Sequence, residues 1–176
     1  MLVAVGVFGW LVWTSKDEPG VGRVAGGRPA NSAASSLADE EYEQLAAFQA
    51  PPYVREAGSP QAFQAAMAQY QNKDYAGAAS ALRAVLDAKP DFVQAKFYRG
   101  VALLLAGDRI AGIQELRDLT ESGDSPYLER ARFYLAKGLL AEHDLRRAQE
   151  QLEQLVAQHG GLEKQAAALL AQIRSS

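Results

Sequence analysis

The sequence predicts an all-α protein in which pairs of helices stack one after another. From residue 59 onward, apolar residues recur at steps of three and four, which is the spacing of an amphipathic helix. Short turn sequences interrupt this pattern, and two sets of markers repeat with them at intervals of 34 and 36 residues. The markers are the turn aspartates Asp74, Asp108 and Asp144, and the small residues Ala78, Gly112 and Ala148. A regular interval of this size indicates a repeat architecture.

Residues 1–15 are predicted to form a transmembrane anchor. Met1–Trp13 contains no charged side chain, and its Trp10 and Trp13 are of a type that favours the bilayer–water interface. Such a helix extends roughly 20 Å, which is less than the ~30 Å hydrocarbon core of a bilayer. Since no Lys or Arg precedes the stretch, we interpret it as a truncated anchor. The alternative is a marginal anchor that its flanking residues assist.

Residues 16–58 are predicted to connect this anchor to the repeats. Residues 16–36 are rich in Gly, Ala, Ser and Pro without an apolar period, which is typical of a flexible linker. Residues 37–58 are predicted to contain a short helix, Leu37–Gln49, and a connector in which Pro51 and Pro52 end that helix. Two interpretations of 37–58 stay open, namely docking on the repeats and availability for a partner.

Three helix–turn–helix pairs follow, over approximately residues 59–90, 91–125 and 126–160, with a capping helix over 162–174. The second pair, Ala95–Leu116, is the most regular. Gly107 and Asp108 make its turn, and Gly100 and Gly112 are the small residues at which helices approach closely. The predicted repeat domain therefore covers residues 59–176.

A helix–turn–helix unit of about 34 residues, with small residues at the helix contact, resembles the tetratricopeptide repeat. The resemblance covers roughly Ser59–Gln158. It implies a right-handed superhelical stack of about three repeats that a C-terminal helix caps. The second repeat departs from the family pattern at Arg99, where the family usually places an apolar residue. We expect Arg99 to extend past the core or to pair with an acidic residue such as Glu129.

By the same resemblance, the first helix of each pair lines a concave binding surface. The predicted partner-binding residues of the second and third repeats are Phe97, Val101, Leu104, Arg130, Phe133, Lys137 and Leu140. The candidates of the first repeat are Phe63, Met67 and Tyr70. Such groups suit an extended or helical peptide with apolar anchors and an acidic group. The alternative for Phe97 and Phe133 is packing between repeats.

Composition argues against catalysis and against nucleic-acid binding. Residues 55–176 contain 15 basic and 15 acidic side chains, so they carry no excess positive charge for a nucleic acid. The chain has no cysteine, and its two histidines, His143 and His159, fall at a turn and at a helix end. We therefore predict no enzyme activity, cofactor, metal or small-molecule substrate.

The predicted function is that of a membrane-tethered protein-interaction scaffold whose partner is a protein or a peptide. We expect a single-pass protein of the bacterial inner membrane with its repeat domain on the periplasmic side. The order of segments also resembles the extracytoplasmic half of bacterial membrane-anchored anti-sigma-like proteins. This resemblance gives the alternative of a sensor half of a transmembrane regulator. A cell-envelope assembly adaptor and a self-associating structural module are further alternatives.

Overall fold

The computed structural model describes residues 47, 49–53, 60–123 and 125–175. Within these ranges there are seven helices and no strand. In chain order the helices are α1 (Gln61–Gln71), α2 (Tyr75–Ala88), α3 (Val93–Leu105), α4 (Arg109–Glu121), α5 (Leu128–Ala141), α6 (Leu145–Ala157) and α7 (Glu163–Ser175). Consecutive helices pack against each other, and α3 also contacts α5. The helices thus form three pairs and one final helix, which confirms the predicted all-α stack.

The turn inside each pair ends in an aspartate that begins the second helix. The side chains of Asp74, Asp108 and Asp144 each accept a hydrogen bond from the backbone N–H three residues later, at 2.9, 3.4 and 3.1 Å. The first N–H groups of a helix have no partner within it, and an aspartate at this position satisfies one of them. The repeated aspartates are therefore helix N-caps.

The residue before each aspartate has a left-handed backbone. Its φ is 63° at Lys73, 89° at Gly107 and 56° at His143. Only glycine adopts this conformation without a steric cost, so the first and third turns are strained relative to the second. His143 is exposed at this position.

Helices α3 and α4 approach each other closely at two glycines. A methyl group added at Gly112 would lie 2.9 Å from the carbonyl oxygen of Gly100 and 2.8 Å from Leu104 Cγ. A methyl group added at Gly100 would lie 2.8 Å from Leu116 Cγ. Carbon atoms in favourable contact are about 3.5–4.0 Å apart, so the packing leaves no room for a side chain at either position. The prediction that both glycines are helix contact points is confirmed.

Arg99 pairs with a different carboxylate from the one that we expected. Its guanidinium forms an ion pair with Glu115 of α4, and 14% of its side-chain surface is exposed. Glu129 accepts a hydrogen bond from the backbone N–H of Leu162, just before α7. The predicted Arg99–Glu129 pair is therefore wrong. Glu115 lies on the helix that packs directly against α3, whereas Glu129 contacts the C-terminal end of the stack.

Most of the N-terminal predictions fall outside the described ranges. These are the anchor over 1–15, the linker over 16–36 and most of the helix predicted over 37–49. Ala47 and Gln49 are described, and neither is helical, so the predicted helix does not reach Gln49. The steric effect of a proline on the residue before it disfavours helix at Ala50. In the part of the chain that the structure describes, no helix is both long enough and apolar enough to cross a bilayer.

Candidate functional site

The first helix of each pair and α7 form one continuous surface, which we call the groove. Its side chains contact or border a short segment of the same chain, residues 47–53, in which Phe48 is not described. The groove comprises Phe63 of α1, Tyr98 of α3, Phe133, Tyr134 and Lys137 of α5, and Gln165, Leu169 and Gln172 of α7. Of the two interpretations left open for the 37–58 region, the structure shows docking for this part.

Three backbone carbonyl oxygens of the segment accept hydrogen bonds from the groove. The pairs are Lys137 Nζ to Ala47 O, Tyr134 Oη to Gln49 O at 2.6 Å, and Tyr98 Oη to Pro52 O at 3.0 Å. Pro51 and Pro52 carry no backbone N–H, so in this segment the backbone acceptors outnumber the donors. Hydroxyl and ammonium groups are the matching donors.

Two side chains among the described residues of the segment anchor it to the groove. Pro51 is buried, and Tyr53 is partly buried with its ring packed edge-on against two rings of the groove. The ring centroids are 5.8 Å apart for Tyr53 and Phe63, and 5.7 Å apart for Tyr53 and Tyr98. Edge-to-face pairs at these distances are favourable beyond the area that they bury. We call the part of the groove that holds residues 49–53 the occupied half.

Tyr98 is the centre of an aromatic network beneath the occupied half. Its side chain is 2% exposed, and its ring contacts five others, which are Tyr53, Phe63, Tyr70, Phe97 and Tyr127. Burial raises the pKa of Tyr98 to about 12, and burial likewise raises the pKa of Tyr134 to about 12. Both hydroxyls therefore keep their protons, and remain hydrogen-bond donors, to a higher pH than an exposed tyrosine does.

Beyond Gln49 the groove continues as an open cleft between α5 and α7, with a volume of about 630 Å³. We call this cleft the open half. It is lined by Phe133, Tyr134 and Lys137 of α5 and by Gln165, Leu169 and Gln172 of α7. Lys137 Nζ lies 5.7 Å from the centroid of the Phe133 ring. The open half thus combines an apolar floor with a cation and amide groups.

Lys137 stands at the boundary between the two halves. Burial lowers its pKa, because the protonated amine loses solvation. Within the described residues, no carboxylate lies within ion-pair distance of its Nζ. Its ammonium group donates to the carbonyl oxygen of Ala47, and no described carboxylate neutralises its charge.

Three of the predicted partner-binding residues lie on accessible positions of α5. Arg130 is exposed, and Phe133 and Lys137 are partly exposed. The guanidinium carbon of Arg130 lies 5.4 Å from the centroid of Tyr127. The structure brings these three residues to one helix face, and their role in partner binding stays a prediction.

The other four predicted partner-binding residues belong to the core. Phe97, Val101 and Leu140 are fully buried, and Leu104 is 3% exposed. The apolar stripe of a first helix packs on its own pair and on the next repeat, so it does not line an open surface. Leu104, for example, lies against Gly112 of α4 and Gly138 of α5. These four positions are therefore corrected from groove-lining to core residues.

The first-repeat candidates are also buried. Phe63, Met67 and Tyr70 have exposures of 0%, 0% and 3%. Of these, Phe63 contacts the docked Tyr53. Phe97 packs against Tyr127 and Tyr134 of the third repeat, which agrees with the alternative of packing between repeats.

Sequence reasoning missed the two tyrosines that bind the segment. Tyr98 and Tyr134 are 36 residues apart, which is the interval of the repeat markers, and both lie on first helices. A polar-tipped aromatic residue that recurs at the repeat interval was the available signal. An amphipathic ring keeps its body against the core and its hydroxyl at the surface, which an aliphatic side chain does not do.

Comparison with known proteins identifies the repeat and the fold. The family model for the tetratricopeptide repeat matches residues 63–126. The structure resembles the type III secretion translocator chaperone SycD of Yersinia enterocolitica, at 18% identity and a TM-score of 0.59, over 70% of this chain and 88% of that chain. SycD in complex with a peptide of the translocator YopD matches at the same identity and TM-score, over 70% of this chain and 98% of that chain.

A third solved structure, the CopN–Scc3 complex, matches at 16% identity and a TM-score of 0.54, over 80% of this chain and 98% of that chain. At these identities the likeness shows a shared fold. No curated protein matches the chain.

Proposed function

We propose that this chain, whose residues 63–126 match the family model for the tetratricopeptide repeat, is a protein-interaction scaffold whose groove binds a segment of a partner protein. The observation that carries this proposal is the open half, a cleft of about 630 Å³ beside a segment that is already held by the groove. SycD, which has a similar fold, is known in complex with a peptide of YopD, and this supports the proposal by analogy of fold.

The chemistry of the open half supports a proposal for the side chains of the partner. Phe133 and Leu169 offer apolar contact, and Lys137 offers a charge that no described carboxylate neutralises. A carboxylate brought to Lys137 gains a charge-assisted hydrogen bond in a partly desolvated place. We therefore expect a partner segment with an apolar residue and an acidic residue close together.

Site-specific photocrosslinking tests the proposal. A photoreactive amino acid at Gln165, in the open half, is expected to capture a partner from cell extract. The same group at Arg146 of α6, whose side chain is 75% exposed outside the groove, is the matched control and is expected to capture nothing in common. Capture of the same protein at both positions, or at Arg146 alone, would contradict the proposal.

Charge reversal tests the acidic residue of the partner. Lys137→Glu is expected to abolish capture at Gln165, because it places a second carboxylate opposite the partner's acidic group. Lys164→Glu makes the same change at an exposed lysine of α7 that does not line the cleft, and it is expected to leave capture intact. Equal loss in both variants would show that only net charge matters.

The membrane tether is part of the same proposal, and it rests on the uncharged Met1–Trp13 stretch. Two arginines in that stretch, Val5→Arg and Val7→Arg, are expected to move the full chain from the membrane fraction to the soluble fraction, since charge opposes insertion. Gly20→Arg and Gly22→Arg add the same charge in the linker and are expected to leave the fraction unchanged. Equal behaviour of the two double variants would reject the anchor.

Periplasmic placement of the repeat domain is proposed with the tether. A membrane-impermeant protease added to intact spheroplasts is expected to degrade the repeat domain, and protection of the domain would reject this orientation. The sensor, envelope-assembly and self-association alternatives stay predictions.

A further inference from the structure

We propose that residues 47–53 are an internal ligand of the groove, and that the groove takes an extended, proline-containing peptide of a partner in the same place. This inference rests on the proposed function, because it assumes that the groove binds partner peptides. It adds the conformation of the peptide, and it adds competition between the partner and the chain's own segment.

The spacing of the two tyrosine donors along the stack matches the spacing of the two carbonyl acceptors along the segment. Tyr134 and Tyr98 bind the carbonyl oxygens of Gln49 and Pro52, which are three residues apart. A polyproline II helix has three residues per turn, so carbonyls three residues apart point to the same side. One tyrosine from each of two consecutive repeats thus meets one carbonyl from each turn of such a peptide.

The hydrogen bonds are accepted by backbone carbonyl oxygens, so they do not depend on the side chains of the peptide. Among the described residues of the segment, two side-chain positions are restricted, Pro51 by its burial and Tyr53 by its contacts with Phe63 and Tyr98. The ligand class is therefore an extended peptide with a proline followed two residues later by an aromatic residue. Proline at the buried position also lowers the entropy that an extended peptide loses on binding.

The connection between the segment and the stack is short. Six residues separate Tyr53 from Pro60, directly before α1. A short linker gives a tethered ligand an effective concentration in the millimolar range. If the same peptide added in solution has a Kd of about 0.1 mM, the docked segment weakens its apparent binding roughly tenfold. The segment is thus an occupant that an external peptide can displace.

Thiol protection in the full chain tests the displacement. The chain has no cysteine, so each introduced cysteine is a single probe. Pro51→Cys places the probe at a buried position of the segment, and Ala50→Cys places it at an adjacent exposed position. The variants are kept in detergent, and the probe ligand is a synthetic peptide copying residues 47–53, AFQAPPY.

Maleimide labelling of Pro51→Cys is expected to be slow without peptide and at least tenfold faster with saturating peptide. Labelling of Ala50→Cys is expected to be fast and unaffected by the peptide. An unchanged rate for Pro51→Cys at saturating peptide would overturn the proposal. Equal rates for the two variants without peptide would also overturn it.

A binding measurement covers the case in which Pro51→Cys itself releases the segment. Tyr53→Ala removes the ring that contacts Phe63 and Tyr98, whereas Tyr53→Phe keeps the ring. The Tyr53→Ala chain is expected to bind fluorescein-labelled AFQAPPY about tenfold more tightly than the Tyr53→Phe chain, by fluorescence anisotropy. Equal affinities of the two chains would overturn the internal ligand.

The two proposals fail separately. Capture of a partner at Gln165 with no displacement by AFQAPPY would leave the scaffold function standing and reject the internal ligand. Displacement by AFQAPPY with no specific capture at Gln165 would reject the proposed partner site in the open half and keep the internal ligand.

Discussion

The occupied half of the groove presents neutral hydroxyl donors, whereas the open half presents a cation, an aromatic ring and amide groups. The hydroxyls of Tyr98 and Tyr134 bind backbone carbonyls, which are the same in every peptide. Lys137, Phe133 and Leu169 offer contacts that depend on the side chains of a ligand. We therefore expect one half to select for an extended backbone and the other to select for sequence.

The two halves also differ in how firmly the fold holds them. The rings under the occupied half are continuous with the core, since Tyr98 is 2% exposed. Phe133 in the open half is only partly buried. The Tyr98 donor is thus preorganised by the packing that stabilises the repeats, which reduces the entropy lost on binding.

The largest expected difference between the halves is in stability. Tyr98→Ala removes a buried ring from the centre of the aromatic network, and we expect the free energy of unfolding to fall by about 3–5 kcal/mol. Phe133→Ala in the open half is expected to cost about 1 kcal/mol or less, because the site is partly solvated. Urea denaturation followed by circular dichroism measures both values. Equal losses would show that the occupied half is no more a part of the core than the open half is.

The two halves are expected to differ in how their contributions to the free energy of unfolding change with alkaline pH. Burial raises the pKa of Tyr98 from 10.0 to about 12, so the folded state keeps a proton that the unfolded state loses. Its contribution to stability is present below pH 10 and is lost as pH rises toward 12. Burial lowers the pKa of Lys137 below 10.5, so its contribution is present above that pH and is lost as pH falls through the lowered pKa.

The free energy of unfolding measured from pH 8 to pH 12 tests both signs across the ordinary pKa values of about 10 for Tyr and Lys. Tyr98→Phe is expected to lessen the fall above pH 10. The lowered pKa of Lys137 predicts that the free energy of unfolding increases as the pH is raised toward 10.5. Lys137→Met is expected to remove this increase. Identical pH profiles for the wild-type chain and both variants would contradict the assignment.

The smallest expected effect comes from a turn that touches neither half. His143→Gly relieves a left-handed backbone at a φ of 56°, and we expect it to raise the free energy of unfolding by about 0.5–1 kcal/mol. Thiol labelling of Pro51→Cys in this background is expected to stay unchanged. Gly107→Ala, at the equivalent turn with a φ of 89°, introduces a side chain where the backbone is left-handed, and it is expected to destabilise the chain. A loss of stability in His143→Gly would contradict the turn assignment.

The fold was predictable because its markers act locally. Asp108 caps the helix that follows it, and Gly107 makes the turn before it, so their spacing predicts the helix pairs without knowledge of tertiary contacts. Gly112 was predictable for the same reason, since a helix pair joined by a short turn must bring its small residues together. Because such local signals repeat along the chain, this fold can be predicted from the sequence.

The groove was harder to predict because one residue along a helix corresponds to a rotation of about 100°. Phe97 and Tyr98 are neighbours in the sequence, yet Phe97 packs between repeats whereas Tyr98 reaches the segment. The choice of Glu115 over Glu129 as the partner of Arg99 likewise depends on which helices are in contact. Docking of residues 47–53 pairs positions 46 to 90 residues apart, and no local pattern encodes such pairs.

The direction in which residues 47–53 lie in the groove has a mechanical consequence. Ala47 is held by α5 and Tyr53 contacts α1, so the segment runs opposite to the order of the repeats. While it is docked, whatever precedes Ala47 is attached at the α5 end of the stack, beside the open half. Release of the segment moves that attachment toward α1. It also lengthens the connection by seven residues, which span at most about 25 Å when extended. Peptide binding would then change the length of the connection and the place at which the preceding chain is attached to the domain, without altering the repeats themselves.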